Sequence, residues 1–300
     1  MGAALSLLFP GMAAFSQQYR AFWADAFHAE FKTPAQVDQL IQDLNTARAN
    51  AIFAEVRLDS VSYDLKSKAD PADDQGYPQS FDALQYLIDR AHWEGIEVHA
   101  WFPVYPTWRS PTPPRNPDHI WHKHGPTVKG DDMWASIASN GKVSTSFDPG
   151  HPGVLAYLVD VFTDPLRHYD LDGIHLDYVR NPGDADYGWK PQAVEPFERL
   201  FARTGVPQPG DPRWADFRRL QGTQLVCQTY LRAVGIKPSV RVTAATVSWG
   251  NGPTSDGGFR STDAFRRVFQ DWRGWLEEGI LDVAMPMNTL REQRNPVEGG

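Results

Sequence analysis

Hydrophobic positions along the chain switch period again and again, and the switches come in pairs. In KTPAQVDQLIQDLN, Val37, Leu40, Ile41 and Leu44 recur at helical spacing behind Thr33-Pro34, a capping residue followed by proline at the first helical position. The next run, AIFAEVRLD (51–59), alternates: Ile52, Ala54, Val56 and Leu58 fall on one face, Phe53, Glu55, Arg57 and Asp59 on the other, which is the period of a strand. A second helix is predicted from Ser80 through Phe81, Leu84, Leu87, Ile88 and Ala91 to a stop at Gly95. It leads into IEVHAWFPVY, where His99, Trp101, Pro103 and Tyr105 share a face. VLAYLVDVFTDPL leads in the same way into GIHLDYVR, residues 211–235 into VRVTAATVS, and TDAFRRVFQDWRGWLEE into LDVAMPMN. With YRAFWADAF at the start, six strands alternate with five helices.

Such alternation means parallel strands joined by crossovers, in a doubly wound sheet or a barrel. Connections from helix to strand are short. Those from strand to helix are long, the extreme being PTWRSPTPPRNPDHIWHKHGPTVKGDDMWAS, so one face carries the elaboration. A sheet covered by helices on both faces would bury the polar stripe of every strand; a barrel points that stripe inward, toward a site at its C-terminal face. The expected class is therefore α/β, a TIM-type (β/α)8 barrel over residues 19–300. A barrel needs eight strands, so the expectation is one truncated after about six and incomplete at the C-terminus.

Composition narrows the function. The 300 residues are 41% hydrophobic, enough for one large core, and the formal charge of −8 with no basic tract argues against a nucleic-acid partner. The single cysteine, Cys227, sits in a helical pattern and reads as a buried thiol. Residues 1–18 are apolar and rich in small side chains without a basic leader, a signal peptide or a disordered apolar N-terminus, which points to export. Nothing else is long and apolar enough for an integral membrane segment.

The strand ends collect Asp25, His28, Glu55, Arg57, Asp59, His99, Trp101, Tyr105, His175, Asp177, Tyr178, Arg180, Trp249 and Asn288. Carboxylates beside large aromatics suit a sugar site. One carboxyl protonates the leaving oxygen, the second handles the oxocarbenium-like carbon, and rings stack on pyranose faces. Asp177 is the first choice for catalysis, Glu55 the second. The expected site takes Asp177, Glu55 and Asp25 as catalytic, with His28, Arg57, His99, Trp101, Tyr105, His175, Tyr178, Arg180, Trp249 and Asn288 binding substrate, and neither cofactor nor metal. Asp172 stands at the N-terminal end of its strand, as a turn residue. His119, His122 and His124 lack the H-E-x-x-H spacing of a zinc helix.

The ordered strings FWADAFH, KTPAQVDQLI, NAIFAEVR, IEVHAWFPVY, FDPGHP, YDLDGIHLDYVRNP, TAATVSWG and LDVAMPMN resemble glycosyl-hydrolase-like family ten, the (β/α)8-barrel proteins of the bacterial cell envelope, from about residue 19 to 290. The resemblance implies hydrolysis of an envelope or extracellular polysaccharide, with peptidoglycan glycan strands as one target, in an exported, periplasmic or extracellular protein. It places the family's strand-four motif on Asp177, its first-strand motif on Asp25 and His28, its second-strand arginine on Arg57, and its D-P-G turn on Asp148. Members usually carry Gln where this chain has Glu55, and their barrels continue for two further strands. The alternatives are a glycan-binding barrel without chemistry and a metal-dependent hydrolase.

Overall fold

The computed structural model describes residues 18–288 apart from 29, 67–69, 73–79 and 251. Most of the expected N-terminal signal segment lies outside the described residues.

Six parallel strands form one sheet in sequence order: β1 (Ala21–Ala24), β2 (Ala51–Glu55), β3 (Glu97–Pro103), β4 (Gly173–Asp177), β5 (Arg241–Thr246) and β6 (Val283–Pro286). Each strand pairs with the next, and the order never reverses, so the sheet curls as a TIM-like half-barrel. The doubly wound alternative would need a switch point in strand order. The barrel is incomplete among the described residues, with β1 and β6 as its edges.

Helices α1 (Pro34–Thr46), α2 (Ala83–Trp93), α3 (Pro152–Thr163), α4 (Pro191–Leu200), α5 (Pro212–Ile236) and α6 (Trp272–Glu277) complete the main elements. Thr33 caps α1 as expected, its hydroxyl accepting from the Gln36 N–H. The α1 stripe Val37, Ile41 and Leu44 is fully buried, packed in one core with the outward positions Ile52 and Ala54 of β2, Val98, Ala100 and Phe102 of β3, and Ile174 and Leu176 of β4. Alternation thus sends aliphatic side chains to the helices and polar or aromatic ones inward.

Several boundaries differ from the expected ones. Helix α2 begins after Asp82, whose carboxylate accepts from the Gln85 N–H, rather than at Ser80. Helix α4 precedes α5 and has no counterpart in the expected order; its start is a proline and Pro196 interrupts it, which hides its period. The expected helix over 262–278 is broken. Asp263–Arg266 forms one turn, Phe269 takes a left-handed φ of 56°, and Asp271 caps α6. The break lets buried Gln270 reach the end of β5: its Oε1 accepts from the Val247 N–H at 2.7 Å and its Nε2 donates to the Ala245 carbonyl at 3.2 Å.

The bottom of the sheet is tied by Asp172, which accepts from the His92 ring and the Val98 N–H, each at 2.8 Å. Asp172 thus stands at the N-terminal end of β4, as expected, and there joins α2 and β3. No helix among the described residues is long and apolar enough to cross a membrane.

Candidate active site

The inward face of the sheet has two tiers. In the lower one, Phe53 lies against both imidazoles, with ring centroids 4.8 Å from His99 and 4.6 Å from His175, and Trp23 stacks on Phe53 at 5.2 Å. The Trp23 indole N–H donates to His175 Nε2 at 3.1 Å. The other nitrogen of a neutral ring must then carry the proton, so His175 Nδ1 donates to Thr243 Oγ1 at 2.8 Å. Burial, helped by His99, pushes His175 down to about 3 and keeps it neutral. His99 is equally buried, and its Nε2 sits 3.1 Å from Glu97. Opposite it stands Gly173, where a Cβ would come 2.0 Å from His99 Nδ1; only glycine leaves room for that ring.

His99 and His175 are therefore packing residues below the site, which corrects their expected substrate contact: neither exposes any surface. Arg57 is corrected likewise. It is buried, its Nη1 donating to the Pro103 carbonyl and its Nη2 to Ser60 Oγ, both at 2.7 Å, so it ties the β2 exit to β3. Tyr105 is buried as well, its hydroxyl near Asp148 and away from solvent; burial raises it.

The upper tier carries the carboxyls. Asp25 ends β1 and folds the next turn over itself, accepting from the N–H groups of Phe27 and His28 and from the His28 ring, all at 2.9 Å. Burial pushes Asp25 up, but these bonds to His28 outweigh it and hold the carboxyl below its ordinary range. The same turn aims the Ala26 N–H at Glu55 Oε2, 2.8 Å away. Glu55 is 2% exposed, and burial pushes it up to about 7; the Ala26 N–H and Arg109 oppose this, while Asp25 and Asp177 add to it. Near neutral pH Glu55 thus keeps its proton half the time.

Asp177 ends β4. Its Oδ1 accepts from the Tyr178 N–H at 2.6 Å, and its own carbonyl accepts from the Val104 N–H. Burial pushes its carboxyl up, opposed chiefly by Arg180. Arg180 Nη1 stops 3.7 Å from Oδ1, too far for a hydrogen bond, and the Trp101 indole N–H, close enough to lower Asp177, also lacks bonding geometry. Both donors are buried without a partner among the described residues. Buried donors left open beside a carboxyl are what a bound ligand satisfies.

Around these carboxyls the strand exits present rings: Phe27 60%, Tyr178 41% and Trp249 37% exposed; Trp23, one tier down on the β1 edge, is 48% exposed. His28 is exposed beside Asp25, and Asn288 is exposed past β6. Arg109 escaped sequence reasoning. Its Nε donates to Asp59 at 2.7 Å and its guanidinium lies 4.8 Å from the Phe27 ring, so it joins the exits of β1, β2 and β3 beside Glu55. Its loop is proline-rich and without period, so only the folded path reveals the contact.

The three loop histidines turn to backbone carbonyls: His119 to Asp59, His122 to Pro114, His124 to Asp132. Among the described residues no group of three or more His, Cys, Asp or Glu side chains is arranged to hold a metal. Asp148 forms a buried turn, accepting from Ser136 Oγ at 2.7 Å and the Gly150 N–H at 2.9 Å.

Residues 18–292 match the family model described as glycosyl hydrolase-like 10. The chain belongs to that family. It is 26% identical over 280 residues to the glycosyl hydrolase DigH of Escherichia coli K12, covering 86% of this chain and 58% of that protein. Against the glycosyl hydrolase YngK of Bacillus subtilis it is 24% identical over 263 residues, 83% of this chain and 47% of the relative. The chain thus spans about half the length of these curated relatives. Among solved structures, the glycoside hydrolase domain of PgaB (BpsB) from Bordetella bronchiseptica superposes with a TM-score of 0.62 at 14% identity, covering 94% of this chain and 76% of that one. An α-L-fucosidase isoenzyme from Paenibacillus thiaminolyticus gives 0.54 at 16% identity, over 76% of this chain and 32% of that one. The glycosyl hydrolase-like 10 chain therefore has a TIM-like glycoside-hydrolase fold.

Proposed function

We propose that this glycosyl hydrolase-like 10 protein hydrolyses glycosidic bonds in a bacterial envelope or extracellular polysaccharide, with peptidoglycan glycan strands as a target. The observation that carries the reading is the pair of buried carboxyls at the loop-bearing strand ends, Glu55 and Asp177, each raised by burial, with the charge of Asp177 adding to the rise of Glu55. Two carboxyls whose surroundings separate their roles are the requirement of glycoside hydrolysis.

Glu55 is the better general acid. It is held near 7, and its bonded Oε2 leaves the other oxygen for the glycosidic oxygen. It gives its proton to the leaving sugar's oxygen as the C–O bond breaks, and a water adds to the anomeric carbon and gives up a proton, completing the hydrolysis. Asp177, with Arg180 favouring its ionised form, faces the positive charge developing at the anomeric carbon. The exposed rings of Tyr178 and Trp249 offer faces for pyranose C–H surfaces. Export to the envelope is part of the same proposal.

The test is incubation of wild type and Asp177→Asn with peptidoglycan glycan strands and with poly-hexosamine, products read by mass spectrometry. Cleavage abolished by the substitution supports the reading. Full activity in Asp177→Asn removes Asp177 from the mechanism, and binding without cleavage by wild type favours a recognition barrel instead.

A further inference from the structure

Asp25 follows β1 directly, and its carboxylate is turned back on its own chain. Oδ1 accepts from the N–H groups of Phe27 and His28 and from His28 Nδ1, and that ring nitrogen lies equally close to Oδ2, all at 2.9 Å. This is the turn that an aspartate or asparagine forms with backbone N–H groups just ahead of it, here closed by a side-chain clip. Burial pushes Asp25 up, but the bonds to His28 outweigh it and keep the carboxyl ionised, so Asp25 is a poor proton donor and its lone pairs are largely taken. Enclosed by the same turn, Ala26 is 1% exposed, and its N–H donates to Glu55 Oε2 at 2.8 Å. On the outer side the Arg109 guanidinium lies 4.8 Å from the Phe27 ring.

We propose that Asp25 is a positioning residue for Glu55 rather than a reacting carboxyl: it locks the turn of residues 25–28, with His28 as the clip, and so delivers the Ala26 N–H to one oxygen of Glu55 and leaves the other free. The inference rests on Glu55 as the general acid and concerns how that acid is held. Two opposing effects on Glu55 pass through this one side chain. The N–H that it positions lowers Glu55, and its own charge raises Glu55, the N–H being the stronger. The other charges facing Glu55 are Arg109, from the loop after β3, and Asp177, at the end of β4; Glu30 and Lys32 face His28. Asparagine at position 25 keeps the backbone bonds of the turn without the charge, and alanine keeps neither. The two substitutions therefore separate the turn from the electrostatics.

Following the Ala26 amide by proton–nitrogen NMR from pH 5 to 9 tests this without any cleavage. An amide that donates to a carboxyl shifts as that carboxyl ionises, so the wild-type signal should titrate at about 7. Glu55→Gln should abolish the response and His28→Gln should leave it, which separates Glu55 from the nearby imidazole. Asp25→Asn should keep the response with its midpoint roughly half a unit lower, because a like charge has gone. Asp25→Ala should flatten it. On a cleavable glycan, the falling limb of kcat/KM should move down with the amide midpoint in Asp25→Asn. Its kcat should exceed that of Asp25→Ala by about 10-fold, since a misplaced acid can cost about 10²-fold. A response that persists in Asp25→Ala, a midpoint unmoved or raised in Asp25→Asn, or equal loss of kcat in the two variants overturns the inference. Where Asp25→Ala fails to fold, wild type, Glu55→Gln and Asp25→Asn still decide it. An amide midpoint that moves while the rate limb stays put supports the positioning turn and sinks Glu55 as the acid, so the two failures are told apart.

Discussion

The lower and upper tiers of the half-barrel's inward face use the same kinds of residue to opposite ends. Below, Trp23, His175 and Thr243 form a chain in which each polar atom answers the next, sealed by Phe53 and His99. Above, Glu55 and Asp177 are each met by one backbone N–H, while Trp101 and Arg180 hold buried donors open. Inward polarity marks the barrel in both tiers. Open hydrogen-bonding capacity is not confined to the upper tier, since His99 Nδ1 also lacks a partner below; what sets the upper tier apart is that its open donors stand beside a carboxyl, Asp177, and that is where chemistry belongs.

The harshest way to probe this contrast is to remove the upper-tier proton. Glu55→Gln is expected to cut kcat/KM on a cleavable glycan by roughly 10²–10⁴-fold, the usual share of a general acid. In wild type the acid must be protonated, so kcat/KM should fall as pH rises above about 7. Rate measurements from pH 5 to 9 check both. A falling limb retained in Glu55→Gln assigns the acid elsewhere.

The tiers should also oppose each other in stability against pH. Glu55 moves from an ordinary 4.5 up to about 7 on folding, so the folded state holds more protons between those values. Its contribution to stability is present at low pH and is lost as pH rises from 4.5 through 7, on the order of 3 kcal/mol. His175 moves from 6.5 down to about 3, so the unfolded state holds more protons there, and its contribution is lost as pH falls from 6.5 toward 3. Between 4.5 and 6.5 the two slopes offset. Urea unfolding at a series of pH values should find Glu55→Gln stabilised at pH 8 relative to wild type, with stability rising with pH across that window. A wild-type-like profile in the variant would place the Glu55 proton outside the folding equilibrium.

Packing in the lower tier gives a smaller effect. Gly173→Ala puts a methyl 2.0 Å from His99 Nδ1 and 2.9 Å from the Arg241 carbonyl oxygen. Backbone and a wedged ring cannot both yield, so a loss of about 1–3 kcal/mol is expected by thermal or denaturant melts. Glycan binding should weaken less than stability does, because the carboxyls sit above the clash.

How much of this was legible in the sequence follows from the physics of each signal. Strict alternation in AIFAEVRLD and IEVHAWFPVY placed Phe53, Glu55, His99 and Trp101 on the inward face, and the structure agrees. Tier was harder to read. His99 is the third residue of β3 and His175 the third of β4, whereas Glu55 and Asp177 end their strands, so counting from the strand start carries the depth. Polarity alone does not, which is why His99, His175 and Arg57 were expected in the site. Arg109 was invisible for another reason: its contacts with Asp59 and Phe27 join three loops, and no local period encodes a loop's path.

The gentlest test separates hydrogen bonding from packing in the lower tier. Trp23→Phe keeps a ring against Phe53 but removes the indole N–H that fills His175 Nε2. Because Trp23 is half exposed, water can replace the lost donor, and the cost should stay near 1 kcal/mol. The larger consequence is for the proton. With Nε2 no longer committed as an acceptor, the tautomer that donates to Thr243 loses one of its two anchors, and NMR titration of the ring should find His175 easier to protonate than in wild type. An unchanged titration would mean that burial against Phe53 and His99 alone keeps the ring neutral, and that the lower tier is held by packing rather than by its chain of hydrogen bonds.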